Sequence, residues 1–251
     1  MHNEPKISCL CVTNNRVSDL KKAVSYFDAQ SYQNKELVIV YLSSDTSTKD
    51  FLDQIENNLI KRVSVENTEG ITLGDLRNIS IRESSGSYVC NWDDDDWYHP
   101  QRLRIQFDEM RRNGKRASIL SYLIMFDNNT KEAYVTHRRF WENSVFCEKK
   151  LLEEMSIRYP SMNKEEDTPF VNCLRKAGVI FPIVQAQLYI YRFTGRNTCD
   201  SNHFKLLFQY SKKLSPQSSK KISDILSNSI HVNDSVSQLS APKFLAELVY
   251  D

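Results

Sequence analysis

Two acidic clusters carry most of the chemical potential of this chain. The first is Asp93-Asp94-Asp95-Asp96, set between Asn91-Trp92 and Trp97-Tyr98-His99-Pro100. Two unit charges about 4 Å apart repel by roughly 1 kcal/mol in water and about 4 kcal/mol at an effective dielectric near 20. Such a run therefore needs a counter-charge, and oxygen-only donors suit a hard divalent cation, Mg2+ or Mn2+. In an extended chain alternate side chains share a face, so Asp93 and Asp95 are expected on one side and Asp94 and Asp96 on the other. An EF-hand calcium loop does not fit. Counted from Asp93, Tyr98 stands where glycine is required and Arg104 where the bidentate glutamate belongs. A solvated acidic turn is the plain alternative, but such turns seldom carry two tryptophans and a tyrosine at their edges.

The second cluster is Glu166-Asp167, ahead of Thr168-Pro169. Thr168 is expected as a helix N-cap and Pro169 as the first helical residue, with Gly178 ending the helix. Asp167 would then lie just ahead of a helix N-terminus, where the dipole favours the ionised form that a general base needs. Arg77 is a candidate clamp for a diphosphate, because a planar guanidinium matches phosphate oxygens. The cluster His137-Arg138-Arg139-Phe140-Trp141 could equally face an anionic or sugar ligand or form an ordinary surface loop.

The elements that must position these groups alternate between strand and helix. Ile7–Val12 reads as a short apolar strand followed by the polar loop Thr13-Asn14-Asn15-Arg16. Leu20, Ala23, Val24 and Phe27 recur at helical spacing, and Glu36–Tyr41 is a second strand. That is a βαβ unit with a right-handed crossover expected. A helix near 49–59 and a strand near 62–65 continue the pattern. Thr72 and Asp75 mark the start of the helix that bears Arg77, and 87–90 is the strand that delivers the acidic run. The helix after Pro100 buries Leu103, Phe107 and Met110. Residues 118–126 and 133–136 read as two strands, antiparallel across Asp127-Asn128-Asn129. Strands near 179–183 and 187–191 lead to the basic loop 192–198 and a helix starting at His203. No Gly-x-Gly-x-x-Gly follows the first strand, so the dinucleotide fingerprint is absent, yet ligands of open α/β sheets bind beyond the carboxyl ends of the strands.

Composition excludes several classes. The 251 residues carry 33 basic against 32 acidic side chains, a net charge of +1 that recommends no nucleic-acid surface. The cysteines at 9, 11, 90, 147, 173 and 199 lack metal-site spacing and are expected as buried free thiols in a reducing cytosol. The amino-terminal stretch is too short in apolar residues for a signal peptide, and no segment has the length of a membrane span.

With these residues in order, the chain resembles the inverting glycosyltransferases of family 2, which have the GT-A fold. The resemblance rests on Cys11-Val-Thr-Asn-Asn-Arg16, on Gln30-Ser-Tyr-Gln-Asn-Lys-Glu36, on Arg77-Asn78 and Gly86, and on Asp93-Asp94-Asp95-Asp96-Trp-Tyr-His-Pro100. It is strong through Leu103 and looser through Glu166-Asp167. It implies an α/β GT-A fold, Rossmann-like, with a mostly parallel central sheet, helices on both faces and a small helical C-terminal extension. The expected division is 1–210 for the catalytic domain, with 1–100 as its nucleotide-sugar half and 101–210 as its acceptor half, and 211–251 for the extension.

The resemblance further implies roles. Asp95 would ligate Mn2+ or Mg2+ on the diphosphate, with Asp93 facing ribose or metal and His203 a weaker metal or diphosphate contact. Thr13, Asn15, Arg16, Arg77, Asp93 and Asp94 would hold the nucleotide sugar, and Asp167 of the Glu166-Asp167 pair would be the base. One departure is that Tyr41-Leu42 stand where the family usually has an acidic pair that reads the nucleobase, leaving Asp45, Asn67 and Glu69 as substitutes. The expected reaction moves a sugar from a nucleoside-diphosphate sugar to a hydroxyl of a glycan or glycolipid, by analogy in bacterial surface polysaccharide synthesis. A metal-dependent nucleotidyltransferase and a non-catalytic sugar-nucleotide-binding domain are the rivals. Cytoplasmic placement, contact with the inner membrane face through the lysines after 204, and self-association as a homodimer are expectations of the same reading.

Overall fold

A computed structural model describes residues 4–195, 197, 201–227 and 232–249. Its centre is a sheet whose strands alternate with helices in the first half of the chain. The order is β1 (Ile7–Val12), α1 (Val17–Asp28), β2 (Lys35–Leu42), α2 (Thr46–Asp53), β3 (Ile60–Val65), α3 (Leu73–Glu83) and β4 (Tyr88–Asn91). Strands β3, β2, β1 and β4 lie side by side and parallel, as consecutive crossovers require. The period of two along these strands sorts their side chains to opposite faces. Cys9, Cys11, Leu37, Ile39 and Cys90 join Leu20, Ala23 and Phe27 of α1 in one apolar cluster. Leu10, Val38, Val40 and Val89 join Leu76 of α3 in the other.

The second half continues with β5 (Trp97–Tyr98), α4 (Arg102–Arg112), β6 (Ala117–Leu120), β7 (Ile124–Asp127), β8 (Glu132–Val135), β9 (Phe146–Glu148), α5 (Lys149–Glu154), α6 (Asp167–Lys176), β10 (Ile180–Ile183) and β11 (Tyr189–Phe193). It ends with α7 (Ser201–Gln209), β12 (Lys212–Lys213), α8 (Pro216–Leu226), α9 (Val232–Leu239) and α10 (Pro242–Glu247). The central sheet reads β10-β6-β9-β4-β1-β2-β3, with β9 antiparallel to both neighbours, and a second sheet reads β12-β8-β7-β11-β5. The α/β class and the helices on both faces are as expected.

Several local expectations shift. The stretch 118–126, expected as one strand, is two: β6 pairs with β10 in the central sheet, while β7 pairs with β8 and β11 in the second. The chain changes sheets between 121 and 123, where Ser121 N–H reaches the Ile183 carbonyl and Leu123 N–H the Thr136 hydroxyl. The helix expected at 49–59 starts earlier because Asp45 accepts the Thr48 N–H at 3.0 Å and caps it. The helix expected to open at Pro169 opens instead at Asp167, with Pro169 inside its first turn. Proline is tolerated there because first-turn N–H groups lack helical partners anyway.

Cys9, Cys11, Cys90 and Cys147 are buried free thiols and Cys173 is exposed and free, whereas Cys199 lies outside the described residues. Leu214, Ile222, Ile225, Leu226, Leu239 and Phe244 are buried in the same cluster as β1 and α1, so the segment after 210 packs into the body of the protein. Among the described residues no helix is long and apolar enough to cross a membrane.

Candidate active site

Both acidic clusters open onto one cleft of about 460 Å³ at the carboxyl ends of β1 and β4. Asp93 to Asp96, Arg16 and Arg77 line one side, Glu166 and Asp167 another, and Arg139, Trp141 and Asn143 a third.

The acidic run is not extended but turns, and that overrides the expected alternation. Each carboxylate finds its own partner. Asp93 accepts Arg77 Nη2 at 3.0 Å, and its backbone carbonyl accepts the Tyr98 hydroxyl at 2.9 Å. Asp94 accepts the Thr13 hydroxyl at 2.6 Å and shares the Arg16 guanidinium with Asp95, at 3.4 and 3.0 Å. Asp95 Oδ2 also accepts Asn197 Nδ2 at 3.1 Å. Asp96 turns inward, accepting the Tyr189 hydroxyl at 2.6 Å and the Arg192 N–H at 2.9 Å. Burial, reinforced by the neighbouring carboxylates, raises Asp95 to about 7, and burial raises Asp94 to about 6. Asp96 is pushed up as well, chiefly by burial.

The flanking aromatics explain why the run sits where it does. Trp92 and Tyr98 stack at 3.9 Å, and the fully buried Arg102 lies over both rings and over Tyr189, with its Nη1 on the Asn91 carbonyl at 3.1 Å. These contacts clamp the chain on either side of the four aspartates.

The loop after β1 is held by Asp45. Besides capping α2, Asp45 Oδ2 accepts the Asn15 N–H at 2.6 Å, fixing Asn15 in the left-handed region at φ 53°. Burial would raise Asp45, but hydrogen bonds from Thr48, Asn15 and Ser47 outweigh it and hold the carboxyl below its usual range. Asp45 is 0 % exposed and does not line the cleft, and neither do Thr13 and Asn15; Asn67 and Glu69 are exposed and also lie outside the cleft lining.

Arg77 is buried, not an exposed helix arginine. It stands on α3, whose N-terminus has the expected Thr72–Asp75 capping box. The same end is tied to the loop before α6: Leu73 N–H donates to Asn163 Oδ1 at 3.0 Å and Gly74 N–H to the Met162 carbonyl at 3.0 Å. Arg77 Nε then reaches Glu166 Oε1 at 2.8 Å while its Nη2 holds Asp93. One guanidinium therefore joins the two acidic clusters. Asp167, half-buried at the first position of α6, is raised to about 6 by burial, against the opposing pull of Arg77. Of the remaining candidates, His203 stands exposed at the cleft rim near the start of α7. Within the 137–141 cluster Arg139 and Trp141 line the cleft, with the guanidinium 4.7 Å from the indole, but His137 does not.

Asn143, Asn197 and the Arg192 contact with the Asp95 carbonyl had no local signal, because each meets the cleft from a segment remote in sequence. No group of three or more His, Cys, Asp or Glu side chains converges as a metal-binding set among the described residues.

The chain is similar to known proteins in sequence and in fold. A curated relative from Haemophilus influenzae, described as an uncharacterized glycosyltransferase, is 25 % identical over 81 % of this chain and 85 % of its own length. Another from Rickettsia bellii, described likewise, is 26 % identical over 47 % of this chain, which spans only 17 % of that longer protein. Among solved structures, S. aureus TarS 1-349 in complex with UDP-GlcNAc superposes with a TM-score of 0.65 over 97 % of this chain and 78 % of that one, at 16 % identity. A mannosyltransferase from Pyrobaculum calidifontis in complex with GDP-Man and Mn2+ superposes with a TM-score of 0.58 over 76 % and 57 %, at 12 % identity. At such identities the likeness speaks for the GT-A fold alone. The sequence model of Glycosyl transferase family 2 matches residues 8–173, from the first strand into helix α6, and on that match the chain belongs to this family.

Proposed function

We propose that the protein transfers a glycosyl unit from a nucleoside-diphosphate sugar to a hydroxyl acceptor, with inversion at the anomeric carbon. The observation that carries this reading is the single cleft in which Asp93–Asp95 face Glu166-Asp167 through Arg77. Asp167 takes the proton from the acceptor hydroxyl, and that oxygen attacks the anomeric carbon as the nucleoside diphosphate leaves. Glu166, fixed by Arg77, sets where the loop before α6 presents Asp167. Thr13, Asn15 and Arg16 lie on the loop that meets the nucleotide, and Trp141 with Asn143 forms a wall for donor sugar or acceptor.

The residues present fit a divalent cation. Asp95 Oδ2 already draws a guanidinium and an amide to itself, and a Mg2+ or Mn2+ ion typically needs only one or two carboxylates when phosphates complete its shell. This reconciles an oxygen-donor site with the lack of a three-residue ligand set. Asp95 would be its principal holder, with Asp93 and His203 as lesser contacts, and the ion would neutralise charge growing on the leaving diphosphate. The complexes of fold neighbours with UDP-GlcNAc and with GDP-Man and Mn2+ support the donor class. A glycan or glycolipid acceptor belongs to the same proposal.

The test is incubation with Mn2+ and a panel of nucleoside-diphosphate sugars. Slow release of nucleoside diphosphate, accelerated by a hydroxyl acceptor, is expected. Pyrophosphate exchange in its place would indicate nucleotidyl transfer, and binding without any turnover would reduce the chain to a sugar-nucleotide-binding domain.

A further inference from the structure

Helix α7 carries His203 at the cleft near its start and packs against strands β11 and β8 of the second sheet. Phe204 and Leu207 are buried, Phe204 lying 5.1 Å from Tyr191 and 4.7 Å from Phe193 between ring centroids, while Phe208 meets Tyr134 at 4.9 Å. The opposite side carries Lys205, Leu206, Gln209 and Tyr210, all exposed. Large apolar side chains are costly to leave in water, and two of the most exposed, Leu206 and Tyr210, stand here. Among the described residues the most exposed ones are Val184 at 63 %, Tyr210 at 62 %, Val249 at 58 % and Leu206 at 55 %. Leu206 and Tyr210 are one helical turn apart. Val249 is tied to the same region, because Lys212, which follows α7, donates to its carbonyl at 2.8 Å.

Around this patch lysines outnumber the carboxylates Glu132, Asp224 and Glu247. Residues 201–221 contain Lys205, Lys212, Lys213, Lys220 and Lys221 and no aspartate or glutamate, in a chain whose net charge is only +1. Lys221 turns inward over Phe244, and Glu132 and Asp224 pair with Lys213 and Lys220, so Lys205 and Lys212 carry the least compensated charge. Lys213 and Lys220 also line, with Lys131, Glu132, Ser219 and Ser223, a cavity of about 300 Å³ beside the start of α8, whose N-terminus is capped by Ser215. Exposed apolar side chains beside lysines suit an anionic bilayer surface, where insertion of the apolar groups and attraction of the cations act together.

We propose that this face, Leu206, Tyr210 and Val249 with Lys205, Lys212 and the lysine-lined cavity beyond them, docks the protein on an anionic lipid surface. Leu206 and Tyr210 enter the headgroup boundary, the lysines meet lipid phosphates, and the cleft at the other end of α7 is held beside the membrane. The acceptor is then met at the lipid surface; this last point rests on the glycosyl-transfer reading, whereas the docking does not.

Flotation with vesicles tests it, without donor or acceptor. The full chain should float with vesicles of phosphatidylcholine and phosphatidylglycerol, not with phosphatidylcholine alone, and should be released by high salt. Leu206→Glu/Tyr210→Glu should weaken binding at least tenfold, and each of Lys205→Gln and Lys212→Gln by about fivefold. Circular dichroism and donor affinity should stay as in the wild type, since these side chains are exposed and outside the cleft. Wild-type protein left unbound by anionic vesicles overturns the proposal, as does vesicle binding that none of these changes weakens. A concentration-dependent dimer abolished by Leu206→Glu/Tyr210→Glu, with no flotation, would assign the face to a second copy of the chain instead.

Discussion

Arg77 Nε lies 2.8 Å from Glu166 Oε1, and the same guanidinium reaches Asp93 at 3.0 Å, so one arginine on α3 sets the distance between the two acidic clusters. Breaking a buried ion pair by removing one partner costs about 3–5 kcal/mol, because the abandoned charges stay buried. Arg77→Ala should therefore lower the melting temperature by roughly 6–20 °C, at about 2–4 °C per kcal/mol for a protein of this size. Arg77→Lys should recover stability in part but not transfer, since an ammonium is a point charge and cannot serve both carboxylates in a planar fork. Calorimetric melting beside a donor-turnover assay checks both; equal activity of the lysine variant would show that the fork geometry is unimportant.

Asp167→Asn should leave donor affinity near the wild-type value and reduce transfer by about 10²–10⁴-fold, the usual worth of a positioned base. Near-native transfer would remove Asp167 from that role.

The pH dependence follows from the same residue. Burial raises the Asp167 carboxyl from 3.8 to about 6 in the folded protein. The base form is the ionised one, so with saturating Mn2+, which would keep Asp95 ionised, turnover should rise with pH through about 6, flatten above it, and fall about tenfold per unit below it. The sign for stability is opposite. The folded chain binds the proton more tightly than the unfolded chain, so this group's contribution to stability falls as pH rises from about 4 to about 6. A rate profile whose acid limb lies well below pH 5 would contradict the assignment.

Asp95→Asn should abolish the part of donor affinity that depends on Mn2+, measured by titration calorimetry with and without the ion. An amide keeps the shape but loses the charge that a hard divalent cation requires. The fold should be retained, because Arg16 still finds Asp94 and Asn197 still finds the Arg192 carbonyl. Undiminished Mn2+ dependence would move the cation site elsewhere.

Gly74→Ala tests the link between α3 and the loop before α6. Alanine favours helix over glycine by about 1 kcal/mol, yet here an added Cβ would lie 1.9 Å from the Pro160 carbonyl oxygen. That is backbone and cannot step aside, so the substitution should destabilise by about 1–3 kcal/mol, as overpacking does. It should also lower kcat more than it raises KM, because the loop it displaces leads to Glu166 and Asp167. A stabilised variant with normal kcat would show that the loop adapts.

What the amino-acid sequence determined by itself was whatever depends on near neighbours. Short apolar runs marked β1, β2 and β4, Thr72 with Asp75 marked the start of α3, and the acidic run with its flanking aromatics marked the cleft, because apolar clustering, capping and charge crowding act over a few residues. The two acidic clusters could be named, but not the partner of each carboxylate. That was decided by the turn at 93–96, which places Asp94 and Asp95 on one guanidinium and sends Asp96 inward to Tyr189. The division of 117–127 between two sheets, the antiparallel β9 between β4 and β6, and the approach of Asn197 to Asp95 also belong to tertiary structure. A short apolar run has the same local pattern whichever sheet receives it, and only packing of segments far apart in the chain selects its neighbour.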